Sequence, residues 1–184
     1  MQLSHAFLIT MLKYYFKFFI LAFFLAGCVV TPSSVPQAEV TRLSLLLQSL
    51  NSNITHSEAK QLSQDIFRKT QTLTKEFELT SPPVFHNFLV NVGLREKGLC
   101  YHWSDALYDY LSEKDYASFE FHLAGANIGE YFYEHNALVV VAKGGDIQEG
   151  VIIDPWRDSG ELYFSLVKSD AEYRWKHRPA RGCR

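Results

Sequence analysis

The sequence is poor in cysteine and lacks the spacings of common zinc sites. Three cysteines occur among 184 residues, at Cys28, Cys100 and Cys183. No CxxC pair is present, and no tight pair of metal ligands shares one face of a predicted helix. A zinc ion at Cys100 would need the scattered histidines His86, His102 and His122. We therefore expect neither a metal nor a cofactor.

A surplus of one charge is also absent. The chain has 18 Lys+Arg against 20 Asp+Glu, so nothing in its charge favours nucleic acid as a partner. Internal repeats and low-complexity segments are missing as well. The length suits one domain with a substantial hydrophobic core.

The sequence has no apolar run long enough to span a bilayer, and the apolar run near the N-terminus is short. It extends from Phe18 to Ala26 and follows Lys13 and Lys17. A run of this length is too short to cross a bilayer comfortably, but it suits the core of a signal peptide behind a positive segment. Either the first residue or Met11 could be the start of translation.

The end of this run resembles a lipoprotein processing site. Leu25-Ala26-Gly27-Cys28 is similar to the lipobox of bacterial lipoproteins, which implies cleavage before Cys28 and acylation of that residue. The residue after Cys28 is Val29, whereas an Asp at this position would favour retention in the inner membrane. The resemblance therefore implies that the protein is anchored in a Gram-negative outer membrane and faces the periplasm. An ordinary secretory peptide with a chance cysteine is the alternative. The chain divides into a signal peptide at 1–27, an anchor and tether at 28–37, and one domain at 38–184.

Helical patterns come first in the mature chain and strand patterns follow. Apolar spacing predicts four helices. The first covers 38–50, the second begins after a capping box at Thr55–Glu58, and the last two cover 84–93 and 100–113. Alternating or continuous apolar runs predict strands at 118–124, 137–142, 150–156 and 161–167. This order predicts an α+β domain in which N-terminal helices pack on an antiparallel sheet.

Cys100 stands at the start of a predicted helix that packs on the core. It shares one face with Trp103 and Leu107. The first turn of a helix lowers the pKa of a thiol and presents N–H groups to a developing oxyanion. His102 lies about 200° further round the helix, so we do not expect it to be the base.

His135 and Asp154 are predicted to be neighbours. His135 opens one strand, and Asp154 ends the next just before a proline. If Gly144 and Gly145 form a two-residue hairpin turn, His135 stands directly opposite Asp154. A carboxylate in that position would orient the imidazole.

Three motifs carry a resemblance to a known superfamily. "GLCYHWSDALYDYL", "EHNALVVVA" and "VIIDPWR", within residues 98–157, resemble the transglutaminase-like cysteine proteinases, which have a papain-like fold. The resemblance implies Cys100 as nucleophile, His135 as base and Asp154 as orienting acid. The superfamily includes peptidases, amidases, transglutaminases and inactive relatives.

Other residues complete the predicted site. A separate oxyanion side chain is not evident, and Asn87 and Asn91, upstream of the cysteine, are the candidates. Trp156 could line a cleft beside the acid. The expected function is thiol-dependent hydrolysis of amide bonds in a periplasmic peptide or protein, peptidoglycan stem peptides being one option.

A rival interpretation makes the same residues structural. A cysteine on an apolar helix face is most often a core residue, and the oxidising periplasm would permit a Cys100–Cys183 disulfide. The protein would then be a non-catalytic binding or structural envelope lipoprotein that retains the fold.

Overall fold

The computed structural model describes residues 11, 15, 28–30, 34–130 and 132–179. The expected signal peptide, apart from residues 11 and 15, lies outside these ranges, and so does Cys183, the partner of Cys100 in the rival interpretation. Four helices occur in the described part: α1 Gln37–Gln48, α2 His56–Glu76, α3 Pro83–Asn91 and α4 Cys100–Ser112. Each of these is too short or too polar to span a bilayer.

Seven short or medium strands accompany the helices. They are β1 Cys28–Val29, β2 Thr80–Ser81, β3 Phe119–Ala126, β4 His135–Ala142, β5 Val151–Asp158, β6 Glu161–Leu166 and β7 Lys176–His177. Five form one sheet in the order β6-β5-β4-β3-β7, in which every neighbouring pair is antiparallel. β1 pairs with β2 in a separate two-stranded sheet. The predicted α+β class is confirmed.

The sheet has a buried layer on each face. Alternate residues of β4 point to opposite faces, and Leu138 and Val140 pack in the larger cluster with Trp103 of α4. Val139 belongs to the smaller cluster on the other face, with Trp175 of the C-terminal segment. β4 is therefore buried on both sides, which explains its continuous apolar sequence.

The start of α2 differs in one respect from the predicted capping box. Thr55 Oγ1 accepts the hydrogen bond from Glu58 N–H at 3.2 Å, as predicted. The Glu58 carboxylate does not return to Thr55 but accepts from Ser118 N–H at 3.0 Å. Glu58 thus links the start of α2 to the residue just before β3, and the reciprocal hydrogen bond of a capping box is not formed.

The predicted two-residue turn between β4 and β5 is wrong. Gly145 N–H bonds to Ala142 O at 2.7 Å, but Asp146 then caps a 3₁₀ segment at Ile147–Glu149. This segment lengthens the loop, and the register pairs Leu138 with Ile153. His135 is consequently not directly opposite Asp154.

Candidate active site

Cys100 is the first residue of α4 and is buried, with 6% of its surface exposed. Its Sγ accepts a hydrogen bond from the side-chain amide of Asn136, with Nδ2 at 3.8 Å. Asn136 is the second residue of β4. The start of α4 and the start of β4 therefore meet at this sulfur.

The turn before Cys100 is shaped around a buried histidine. Gly98 has φ +125°, and a Cβ at this position would lie 2.1 Å from Nε2 of His86. The His86 ring is fully buried, accepts from Thr80 N–H at 3.2 Å and donates from Nε2 to Lys97 O at 2.8 Å. Only glycine leaves room for this ring while the backbone takes a positive φ.

His102 and Trp103 hold the same turn from the helix side. His102 Nδ1 accepts from the N–H groups of Gly98 and Leu99, at 3.1 and 3.2 Å. Trp103 Nε1 donates to Gly98 O at 3.1 Å. Burial, followed by the nearby Lys97 charge, lowers the pKa of His102 and keeps its ring neutral and accepting. His102 thus serves the backbone of the turn.

The histidines considered for zinc have other partners. His86 and His102 are bonded to backbone groups. His122 packs edge-on against His177, with ring centroids 5.2 Å apart. Within the ranges that the structure describes, no three His, Cys, Asp or Glu side chains converge as metal ligands.

His135 and Asp154 form a buried pair. His135 Nε2 and Asp154 Oδ2 are 2.7 Å apart. The ring is enclosed by Trp156, Tyr173 and Trp175, whose ring centroids lie 4.7, 4.8 and 5.4 Å away. The other ring nitrogen, Nδ1, is buried and makes no hydrogen bond with any described residue. The bond to Asp154 therefore holds the imidazole through one of its two nitrogens.

The predicted contact of this pair is confirmed although its predicted register is wrong. With Leu138 opposite Ile153, continuing the register places His135 opposite Trp156. The register error is two residues, and side chains two apart in a strand share a face. Asp154 therefore stays on the face of His135 and reaches it diagonally.

Cys100 and His135 approach the same strand end from different sides. His135 and Asn136 are consecutive, so their side chains point to opposite faces of β4, and the face of Asn136 is the one that meets Cys100. Because His135 Nδ1 has no hydrogen-bond partner among the described residues, the thiol and the imidazole are not directly bonded. Proton transfer between the two side chains therefore requires a bridging water molecule at the strand end.

Arg157 is the second partner of Asp154, and this role was not predicted from the sequence. Its Nε donates to Asp154 Oδ2 at 3.1 Å and its backbone N–H to Oδ1 at 3.3 Å. The guanidinium lies over the Tyr163 ring, with Cζ 3.7 Å from the centroid. Burial alone would lower the pKa of Arg157, but Asp170 and Asp154 raise it. The arginine is therefore a fixed cation behind the acid.

Asp170 completes a chain of charges that ends at the histidine. It accepts from Arg157 Nη2 at 2.7 Å and from Trp175 Nε1 at 2.9 Å. Burial would raise the pKa of Asp170, but these bonds and the Glu172 N–H lower it to about 2. Since Trp175 also covers His135, Asp170 braces both the acid and the aromatic enclosure. The available sequence signal for Arg157 was its place three residues after Asp154, at the end of the motif "VIIDPWR".

Comparison with known proteins gives no family for the chain. No family model, curated protein or solved structure matches it.

The predicted amides occupy different places. Asn87, on α3, accepts from Trp156 Nε1 through Oδ1 at 3.0 Å and so fixes the ring that packs on His135. Asn91 is exposed at the end of α3. The amide at the cysteine is Asn136, which sequence reasoning missed. Strand alternation after His135 was the available signal, because it directs Asn136 to the helix side.

Proposed function

We propose that the chain is a thiol-dependent acyl-transfer enzyme of transglutaminase-like type, with a papain-like core, that hydrolyses amide bonds in a peptide or protein. One observation supports this above the others. His135 Nε2 is hydrogen-bonded to Asp154 Oδ2 at 2.7 Å, and His135 Nδ1 has no hydrogen-bond partner among the described residues. The next residue along the strand, Asn136, contacts the sulfur of Cys100.

In the first half of the reaction, the proton of the Cys100 thiol passes to His135 Nδ1 through one bridging water molecule at the start of β4. The thiolate attacks the carbonyl carbon of the amide, and the carbonyl π electrons move to oxygen. Asn136 Nδ2 and the N–H groups at the start of α4 stabilise this oxyanion. Collapse breaks the C–N bond, the imidazolium gives its proton to the leaving amine, and a thioester remains on Cys100.

In the second half, His135 takes a proton from water, which attacks the thioester. The oxyanion forms and collapses again, the carboxylic acid leaves, and the proton returns to the thiolate. Asp154 holds the ring and stabilises the imidazolium in both halves. The positive end of the α4 dipole favours the thiolate. An amine in place of water would give transamidation by the same steps.

The proposed location is the periplasmic face of the outer membrane, with Cys28 acylated. The lipobox supports it, and peptidoglycan stem peptides are then one class of accessible substrate. Metabolic labelling with a fatty acid tests the anchor: wild type should incorporate the label and Cys28→Ser should not. Unlabelled wild type would contradict the anchor without bearing on the thiol chemistry.

The pH dependence of Cys100 alkylation tests the catalytic proposal. Iodoacetamide should modify Cys100 in the unreduced protein with an apparent pKa below the free-cysteine value of about 8.5. His135→Ala should move the profile towards that value, because the imidazolium partner is lost. His122→Ala is the matched control, on the neighbouring strand β3, and should leave the profile unchanged. Identical profiles for wild type and His135→Ala would overturn the proposal.

Burial supports a second candidate, a non-catalytic binding or structural envelope lipoprotein. Cys100 and His135 are 6% and 2% exposed, and the two are not directly bonded. For this candidate, Cys100 would be inert to alkylation or joined to Cys183, which lies outside the described residues. Mass spectrometry of the unreduced protein decides: a stoichiometric disulfide, with a large fall in melting temperature on reduction, favours the second candidate.

A further inference from the structure

Helix α3 presents a row of exposed apolar side chains. Val84, Phe88 and Val92 follow one another at the four-residue spacing of one helix face and are 68%, 54% and 50% exposed. Leu94, just beyond the helix, is 63% exposed. No Asp, Glu, Lys or Arg occurs from residue 79 to residue 94. We call these four side chains the α3 apolar face.

The helix cannot turn this face inward, because its other side is already bound. His86 is fully buried and bonds to Thr80 and Lys97. Asn87 bonds to Trp156, which packs on His135. Rotation about the helix axis would break these bonds and leave buried polar groups unpaired. An apolar row held outward in this way marks an interaction surface.

The chain enters the fold beside this face. The backbone of Cys28 pairs with Ser81, and Val29 pairs with Thr80, while α3 begins at Pro83. Paired strands are about 4.8 Å apart and a nine-residue helix is about 14 Å long. Val84, three residues beyond Ser81, therefore begins this face within about 16 Å of the Cys28 backbone, and Phe88 and Val92 follow along the helix.

We propose that the α3 apolar face docks on the lipid bilayer that holds the Cys28 anchor. The inference rests on the proposed anchoring and extends it from a tether to an oriented contact. An anchor at Cys28 keeps the face at a high effective concentration near the lipid, so even a small apolar area is enough to bind. Docking turns the side of the site formed by Asn87 and Trp156 towards the membrane.

A cross-linking experiment tests this contact. The full-chain lipoprotein is placed in vesicles of phosphatidylethanolamine and phosphatidylglycerol that contain a photoactivatable phospholipid, and cross-links are mapped by mass spectrometry. They should concentrate in residues 83–94. Phe88→Glu should reduce them about tenfold or more, because burying a phenylalanine side chain is worth at least that in a binding equilibrium. Val84→Glu should act in the same direction.

Leu45→Glu provides the matched control. Leu45 is a similarly exposed apolar residue, at 55%, on α1, and its replacement should leave the cross-links at 83–94 unchanged. Melting temperatures show that each variant is folded. Fatty acid on Cys28 without lipid cross-links in 83–94 overturns the docking surface while the anchor stands. Protein-to-protein cross-links through this face, which indicate a second copy as its partner, also overturn it. A Cys28 without fatty acid overturns anchor and docking together.

Discussion

Arg157 Nε and His135 Nε2 donate to the same carboxylate oxygen, Oδ2 of Asp154, at 3.1 and 2.7 Å. The acid is thus fixed from two sides before any substrate arrives. A carboxylate shared with an arginine is less free to rotate, which favours orientation of the imidazole. The site therefore extends beyond three residues to Arg157 and to Asp170 behind it.

Replacing Asp154 by asparagine should slow the reaction of Cys100 with iodoacetamide at pH 7 by about tenfold or more, because an amide neither orients the ring correctly nor stabilises imidazolium. Asp158→Asn is the control: it removes an exposed acid from the end of the same strand. Alkylation of Asp154→Asn at the wild-type rate would remove Asp154 from the mechanism.

Replacing Arg157 by glutamine should lower both stability and thiol reactivity. Loss of one member of a buried, hydrogen-bonded charge network costs about 3–5 kcal/mol, and Asp154 loses one of its two supports. Arg157→Lys keeps the charge without the planar fork that serves Asp154 and Asp170 together, so it should recover part of the alkylation rate. Chemical unfolding and alkylation at pH 7 measure the two effects. A glutamine variant that alkylates like wild type would contradict the positioning role.

Replacing Asn136 by alanine should separate two reactions of the same thiol. Acylation of Cys100 by a p-nitrophenyl ester develops an oxyanion, and losing one oxyanion donor typically costs about 10²–10³-fold. Alkylation by iodoacetamide develops no oxyanion, so its rate should change little. A parallel fall in both rates would show that Asn136 positions the sulfur instead of stabilising the oxyanion.

Lowering the pH from about 4 to about 2 should remove the contribution of Asp170 to the free energy of unfolding. Its pKa is about 2 in the folded protein, against about 3.9 in an unfolded chain. The folded state therefore binds fewer protons, and the contribution, on the order of 2 kcal/mol, is complete above about pH 4 and lost as the pH falls towards 2. The difference in unfolding free energy between wild type and Asp170→Asn should shrink over that range. Asp115→Asn, at an exposed position, should show no such convergence; a pH-independent difference for Asp170→Asn would contradict the assignment.

Replacing Gly98 by alanine should destabilise the protein and misplace Cys100. The positive φ strains any side chain by about 1–3 kcal/mol, and the new Cβ would also strike the His86 ring. Gly129→Ala is the matched control, because it has φ +92° and nothing within 4 Å of the added Cβ. Adding His86→Ala should not rescue Gly98→Ala fully, since the strain and the lost hydrogen bonds remain. Equal melting temperatures for the two glycine variants would contradict the role of the His86 contact.

Much of the fold could be predicted because it depends on local geometry. Leu62, Ile66 and Leu73 have the spacing of one helix face, and all three are buried in α2. The same reasoning placed Cys100 on the inner face of α4. Side-chain direction repeats with the geometry of each element, so these properties are present in a short stretch of sequence.

Register and site composition were harder to predict because they depend on distant parts of the chain. Asp146 lengthens the loop between β4 and β5 by capping a 3₁₀ segment, and the predicted turn failed there. The amide beside Cys100 comes from a strand 36 residues further along the chain. Strand alternation directs Asn136 to the helix side of β4, but no local pattern shows that Cys100 lies there.

The sequence by itself determined that helices precede the main antiparallel strands and which side of α1, α2 and α4 is buried. Only the tertiary structure decided that Asn136 meets the sulfur, that Arg157 shares the acid and that the C-terminal segment brings Tyr173 and Trp175 over His135. Backbone geometry repeats over a few residues and so can be inferred locally. Contacts between elements depend on loop closure and on packing across the whole core, which no short segment encodes.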